Sequence, residues 1–448
     1  MEQNKNNPQG KFGNWLRNAI TAHLLMVGFL ALVLLIPLES VKSLIRERAI
    51  RQEKTTSKIN VQWGKETILS GLILKIPYKT YKETRVYDET EKKHFTRQET
   101  IVKDAFIFPE KLKIHSNVET KALHRGIYES VVYATDIHVE GDFPKIDSMK
   151  MEVSPQDILW EKASVLLRTS NIKGIRNLLE VNIGTQQLNM SPGTDDANSL
   201  ESETLENFAK NHNKPLAFSF NLKVNGSKSL MFVPLGKENS VEMASNWPAP
   251  SFDGNFLPKS REISPDGFKA SWQVFQLNRP FAQSYFGELP NLREYAFGTN
   301  FIIPVHEYQK TERAAKYGFM VIGLTLLVFL LIQLVSKIYI HPFQYAMIGL
   351  ALVMFYTLLL SISEHSSFLA AYLIAGISVL ALIGLYARTI LKGSNFPLLV
   401  CGSLAVLYSF IYVIIQLEDY ALLVGSIGLF LILGIIMFVS RKIDWSRG

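Results

Sequence analysis

The chain holds 448 residues, 48% hydrophobic and 19% charged, which is too apolar for disorder and too polar for a protein made only of membrane spans. Its net charge of +7 is modest, and its Lys/Arg-rich segments carry no nucleic-acid motif, so no nucleic-acid partner is expected. Cys401 is the sole cysteine, which excludes an intramolecular disulfide and any Cys-based zinc cluster.

Residues 1–18 form a polar tail with Lys5, Lys11 and Arg17. Residues 19–38 follow, with His23 as their one ionisable side chain. This run resembles a signal sequence but exceeds a usual apolar core, and Pro37-Leu38-Glu39-Ser40-Val41-Lys42 offers no small-residue cleavage site. It predicts an uncleaved signal anchor and first transmembrane helix. Residues 39–58 predict a basic juxtamembrane helix: Val41, Leu44, Ile45 and Ala49 recur at helical spacing among Lys42, Arg46, Arg48, Arg51, Lys54 and Lys58. Such a helix either lies on anionic headgroups or continues the first helix as a solvated extension.

Residues 59–316 change texture. Alternating, β-branched and aromatic runs appear at Ile59–Trp63, Ile68–Ile76, Leu112–Ser116, Val131–Thr135, Ile137–Val139, Ala217–Val224 and Phe268–Phe275, with Gly, Pro and Asn between them. The pattern predicts a large all-β, sandwich-like domain. Thr204–Lys210 is one short helical candidate. The polar stretch 189–203 reads as a loop and marks a candidate subdivision.

From Tyr317 to Gly448 only ten charged side chains remain: Lys337, Glu364, Arg388, Lys392, Glu418, Asp419, Arg441, Lys442, Asp444 and Arg447. The uncharged windows between them predict five transmembrane helices near 317–335, 343–362, 368–387, 396–415 and 420–440, making six with the first. The sign of the intervening charges alternates from one gap to the next. Basic residues of the short loops and termini gather on one side of the membrane, and the two short loops at Glu364 and Glu418 hold none. The basic segment 39–58 pulls the other way, but it opens a long domain, and long domains translocate largely regardless of charge. The short-loop rule then makes both termini cytoplasmic and the β domain extracytoplasmic, in the periplasm of a cell with two membranes. The glycines in these windows, among them Gly318 and Gly349, allow close helix approach.

Motifs for nucleophilic, metalloprotease, phosphate-loop or dinucleotide chemistry are absent, and no enzyme activity, cofactor or metal is expected. His115, His124 and His138 share one strand-rich stretch; exposed strand histidines account for them better than a metal site does. Glu364 and His365 sit between two predicted helices, where a polar turn competes with a functional reading. His341 precedes Pro342 and suits a helix start. Tyr408, Tyr412 and Gln416 share one helix face, as an interfacial belt or a polar cavity lining. Glu364, His365, His341 and Gln416 are therefore the candidate functional residues. The predicted helix interiors hold no Asp, Glu, Lys or Arg, so no charged relay for ion coupling is present.

Read in order, the chain resembles the CreD family of bacterial inner-membrane proteins, also called the cell envelope integrity family. The resemblance runs over nearly the whole length. It rests on Arg46-Glu-Arg48, Trp63-Gly64, Ile76-Pro-Tyr78, Phe108-Pro-Glu110, Arg125-Gly-Ile-Tyr128, Trp247 with Pro250-Ser-Phe252, Phe256-Leu-Pro258, and Gly267-Phe268 with Trp272. In the membrane block it rests on Tyr317-Gly-Phe-Met320, His341-Pro342 with Gln344-Tyr345, Leu360-Ser-Ile-Ser-Glu-His365, Tyr420-Ala-Leu-Leu423 and Asp444-Trp445. It implies a large periplasmic domain and a link to envelope integrity and a stress-responsive two-component system, and it carries over no catalytic residue. Its expected partners are the lipid bilayer and an envelope protein, lipid or glycan bound by the periplasmic domain. Transport or lipid handling through helices two to six is the alternative.

Overall fold

A computed structural model of the chain describes residues 20–88, 93–146, 153–193, 196–301, 307–336, 338–391, 395–417 and 420–441. The tail 1–18 lies outside these, as do Lys337, Lys392, Glu418, Asp419, Lys442, Asp444 and Arg447 from the charge pattern. The chain divides into two compact units, Met1–Glu53 with Val305–Gly448, and Lys54–Pro304.

The first helix, α1, runs from Ile20 to Trp63 without a break, passing Pro37. At about 1.5 Å per residue its 44 residues extend roughly 66 Å, about twice the hydrocarbon thickness of a bilayer. The basic segment 39–58 is thus continuous with the first span, and it carries ion pairs along its own surface, Lys42 with Glu39 at 3.2 Å and Arg51 with Glu47 at 2.9 Å. Ile59–Trp63, expected as a strand, is the last turn of this helix. Alternation of Ile59, Val61 and Trp63 imitates a strand, but adding residues to an established helix costs little and no breaker intervenes before Gly64.

Unit Lys54–Pro304 is built on a 16-stranded mixed sheet among the described residues. In chain order the strands are β1 (Thr67–Asp88), β2 (Lys93–Ile107), β3 (Lys111–Arg125), β4 (Tyr128–Phe143), β5 (Ser164–Thr169), β6 (Glu180–Ile183), β7 (Gln186–Pro192) and β8 (Ser199–Ser202). After the short helix α2 (Phe208–Asn211) come β9 (Leu216–Ser227), β10 (Ser229–Val233), β11 (Glu238–Ser245), β12 (Pro250–Gly254), β13 (Ser260–Ser264), β14 (Gly267–Phe275), β15 (Ser284–Gly287) and β16 (Phe297–Phe301). They run β12-β16-β10-β1-β5-β8-β7-β6-β9-β4-β3-β11-β14-β13, with β2 on the far half of β1 and β15 on β2. Two pairs are parallel, β1 with β10 and β3 with β11.

β7 pairs with β6 on one side and β8 on the other, so the path bends there from one layer to a second, sandwich-like. The stretch 189–203, expected as a loop, therefore supplies strand residues of β7 and β8 that join the layers. Its outward positions are polar, while Leu200, like Leu188 just before the stretch, turns inward. Strand alternation sorts the rest: along β3, Leu112, Ile114 and Val118 are buried while Lys113, His115 and Asn117 are exposed. One apolar core fills the space between the layers. Rings cross it: Tyr133 of β4 lies 5.2 Å from Phe301 of β16, and Trp272 of β14 lies 5.8 Å from Phe297. The Tyr133 hydroxyl donates to the Ser229 carbonyl at 2.7 Å. Burial raises its pKa, so it keeps its proton.

The other unit holds α3 (Glu307–Lys316), α4 (Gly318–Ser336), α5 (Pro342–Ser363), α6 (Phe368–Ile390), α7 (Phe396–Gln416) and α8 (Ala421–Ser440). With α1, six helices among the described residues are long and apolar enough to cross a membrane, and α4 to α8 occupy the uncharged windows. α3 lies within the span 59–316 that was expected to be β-rich. It is polar but periodic: Tyr308, Thr311, Ala314 and Ala315 are buried, while Gln309 and Lys316 are exposed. Leu34 and Leu38 of α1 are nearly inaccessible, and each meets a glycine. A Cβ on Gly349 of α5 would stand 2.0 Å from Leu34 Cδ1, and one on Gly318 of α4 would stand 2.8 Å from Leu38 Cδ1.

Candidate functional site

The helix unit separates the sequence-predicted residues. Glu364 ends α5 with a side chain 13% exposed. Its carboxylate accepts from the Tyr308 hydroxyl of α3 at 3.1 Å and lies 3.7 Å from Arg48 Nη1 of α1. Three elements thus converge on Glu364. A further pairing, Arg46 with Glu312 at 3.6 Å, links α1 to α3 directly. His365 is exposed in the following turn, where Ser367 caps α6.

His341 begins α5, some 22 helical residues and hence roughly 33 Å from Glu364, so the two cannot share a site. Its Nδ1 accepts from the Phe343 N–H at 3.2 Å, and Gln344 Oε1 accepts from the His341 N–H at 2.9 Å, which completes a capping arrangement at a Pro-started helix. Gln416 is exposed at the end of α7 and donates to the Tyr412 hydroxyl at 2.9 Å. Tyr408, one turn further in, is packed: it stacks on Phe355 at 4.5 Å, and its carbonyl accepts from Tyr372 at 2.8 Å. Where α5, α6 and α7 meet, aromatic rings fill the space.

The sheet unit assembles a second cluster. Of the three strand histidines, His115 and His138 stand directly opposite one another on β3 and β4, while His124 lies nine residues further along β3 beside Glu129. Among the described residues no group of three His, Cys, Asp or Glu is placed to hold a metal ion.

Register extends the histidine pair into a row running across the outward face of one layer. Asn221 of β9 faces His138, His138 faces His115, His115 faces Glu242 of β11, Glu242 faces Ser271 of β14, and Ser271 faces Ser260 of β13. Most neighbours in the row touch: His138 Nδ1 lies 2.6 Å from Asn221 Oδ1, His115 Nδ1 lies 3.2 Å from Glu242 Oε2, and the two serine hydroxyls lie 2.7 Å apart. A cavity of about 600 Å³ lies over the row from His138 to Ser260, bordered also by Asp136, Glu262 and Lys269. Beside it, the Lys113 ammonium 3.0 Å from Glu140 holds that carboxyl below the usual carboxylate range.

Sequence reasoning found the histidines and missed Glu242, Ser260 and Ser271. These come from strands more than a hundred residues away in the chain, and a parallel pairing of β3 with β11 leaves no local trace. The visible signal is polarity alternating with buried residues, Glu242 between Val241 and Met243 and Ser271 between Ala270 and Trp272. The cluster offers donors, acceptors and both signs of charge, suited to binding a polar ligand.

The helix set and the sheet inserted between its first two spans define a polytopic membrane protein with a large β domain. The family model described as Inner membrane protein CreD matches residues 19–446, and the chain belongs to this family. It is 31% identical over 422 residues to the Inner membrane protein CreD of Escherichia coli (strain K12), covering 92% of this chain and 91% of that protein.

Proposed function

We propose that this inner-membrane protein is non-enzymatic and supports envelope integrity, with its sheet domain in the periplasm binding an envelope component and both termini in the cytoplasm. The row from Asn221 to Ser260 carries the reading. It spans six strands, and from His138 to Ser260 it presents imidazole, carboxylate and hydroxyl groups along one concavity. The mixed charges around it, Asp136, Glu242 and Glu262 with Lys269, suit a zwitterionic ligand of the kind found in peptidoglycan.

Replacing His138 and Glu242 together by alanine should lower binding of the full-length protein, in detergent, to isolated peptidoglycan sacculi by about tenfold or more. The same variant, at wild-type membrane levels, should fail to restore detergent resistance to a native host lacking the gene. Undiminished binding and full restoration would sink the assignment.

Orientation rests on the distribution of basic residues between the short loops. A reporter fused after Arg441 should show cytoplasmic activity and one fused after Glu364 periplasmic activity; the opposite pattern would invert the topology. Transport through the bundle, the alternative, has less support, since stacked Phe355 and Tyr408 occupy the ground between α5 and α7.

A further inference from the structure

A second cavity lies on the same outward face as the histidine row. Its volume is about 370 Å³ against about 600 Å³ for the first, and both fall within the usual range of ligand sites of about 300–1,000 Å³. Register explains why the two adjoin. On β3 the first is lined by His115 and the second by Lys113; on β4 the first is lined by His138 and the second by Glu140. Lys113 faces Glu140 as His115 faces His138, and positions two apart along a strand share a face. The cavities therefore meet at neighbouring outward pairs of one ladder. From there they run in opposite directions, the first over β11 and β14 to Ser260 of β13, the second over β9 to Asn182 of β6.

Small side chains keep the floor low toward both ends, Ala217 and Ser219 on β9, and Ser271 and Ser260 on β14 and β13. Together the cavities cross seven strands, β6-β9-β4-β3-β11-β14-β13. At about 4.8 Å between neighbouring strands, this path measures roughly 29 Å. A chain advancing about 3.3 Å per residue covers it with about nine residues. Each cavity also holds both signs of charge: Lys111 and Lys113 with Glu140 and Asp142 in one, Lys269 with Glu242 and Glu262 in the other. Phe218 of β9 is buried, and no other phenyl, phenol or indole ring borders either cavity among the described residues. A sugar ring finds no aromatic face to stack upon, whereas carboxylates and amines find charged partners at either end.

We propose that the two cavities form one groove, and that its ligand is an extended peptide of mixed charge lying across the strands, such as two cross-linked stems of peptidoglycan. This rests on the reading of the row as a ligand site, and adds the length and class of what it binds.

Muramidase digestion of sacculi supplies two probes: a disaccharide carrying one stem, and two such units joined through their stems. Binding to full-length protein in detergent is measured by titration calorimetry. The joined form should bind about tenfold or more tightly, because its second half reaches the second cavity as part of the same molecule. Lys111→Ala with Asn182→Ala should bring the joined form down to the affinity of the single-stem probe and leave that probe's own affinity unchanged. Ser219→Trp, which keeps every charge and fills the floor, should do the same. An unchanged unfolding temperature in either variant assigns the loss to the groove.

Equal affinity of wild type for both probes would overturn the proposal, as would undiminished binding of the joined form by both variants. So would equally tight binding of glycan strands stripped of their stems by an amidase. The paired alanine variant of His138 and Glu242 separates this inference from the reading beneath it. If that variant binds the single-stem probe weakly while length makes no difference, the row stands as a site for one stem and the longer groove falls. If it binds both probes as wild type does, the row itself falls.

Discussion

Replacing Arg279 by methionine is expected to cost the sheet domain about 2–4 kcal/mol, the scale set by leaving two buried acceptors without a donor at about 1–3 kcal/mol each. Arg279 is 5% exposed, and no carboxylate lies within ion-pair distance among the described residues. Its guanidinium serves backbone carbonyls instead. Nη1 donates to Phe281 at 2.9 Å, and Nη2 donates to Leu235 at 3.0 Å and Gly236 at 3.3 Å, with Gln283 Oε1 as a further acceptor. The plane stacks over the Phe281 ring at 4.0 Å. Burial lowers its pKa to about 10, which leaves it protonated at neutral pH. Methionine fills similar volume but takes the donor from the Phe281 carbonyl and from Gln283 Oε1, while the Leu235 and Gly236 carbonyls keep Gln283 Nε2 and Asn239 Nδ2. Lysine should rescue little, because a single ammonium cannot reproduce the planar fork. Thermal unfolding of the full-length protein checks this; a loss below about 1 kcal/mol would mean that water reaches the freed acceptors.

Gly349→Leu is expected to undock α1 from the rest of its unit. The added side chain must occupy the space already held by Leu34, whose Cδ1 stands 2.0 Å from where a Cβ would begin. Overpacking usually costs about 1–3 kcal/mol when neighbours can shift. Here the neighbour is a helix, and lipid surrounds its other face, where Leu25, Phe29, Leu32 and Ile36 are exposed. Association among membrane helices depends on close packing rather than on escape from water, so a helix forced outward has little to draw it back. The variant should unfold at a markedly lower temperature and accumulate poorly. Leu34→Ala in the same chain should restore part of both, because it clears the overlap. Additive losses in the double variant would place the damage elsewhere.

The six spans could be read from the sequence because a bilayer demands long uncharged windows, and few other structures produce them. The sheet was legible where one face meets the core: β3, β9 and β14 alternate as written. Three features escaped for separable reasons. Ile59–Trp63 alternates like a strand but inherits helix from the residues before it. α3 is too polar to register as a span, although Tyr308, Thr311 and Ala314 mark its inner face. β7 and β8 are short, with polar outer faces, so composition made them look like a loop. Among the candidate residues, His341 and Gln416 explain themselves locally, as a helix cap and as the partner of Tyr412. Glu364 gains its company, Tyr308 and Arg48, from elements far away in the chain, which no local pattern could disclose.

The order of strands also governs when the sheet domain can form. β10 is held between β1 and β16: Leu230 pairs with Thr67 on one side and with Thr299 on the other. β3 likewise waits for β11, since Lys111 pairs with Glu238. Contacts of such long sequence separation make folding slow, because loop closure precedes any return from pairing. During synthesis, β1 and β3 must persist with open hydrogen-bonding edges while most of the domain is still being made, a state prone to mispairing. Its closing strand, β16, is also the last one before α3 and the five spans that follow. A chain cut short anywhere before Phe301 is left with an unfinished sheet, so the protein gains a finished domain only at the moment its chain turns to the membrane block.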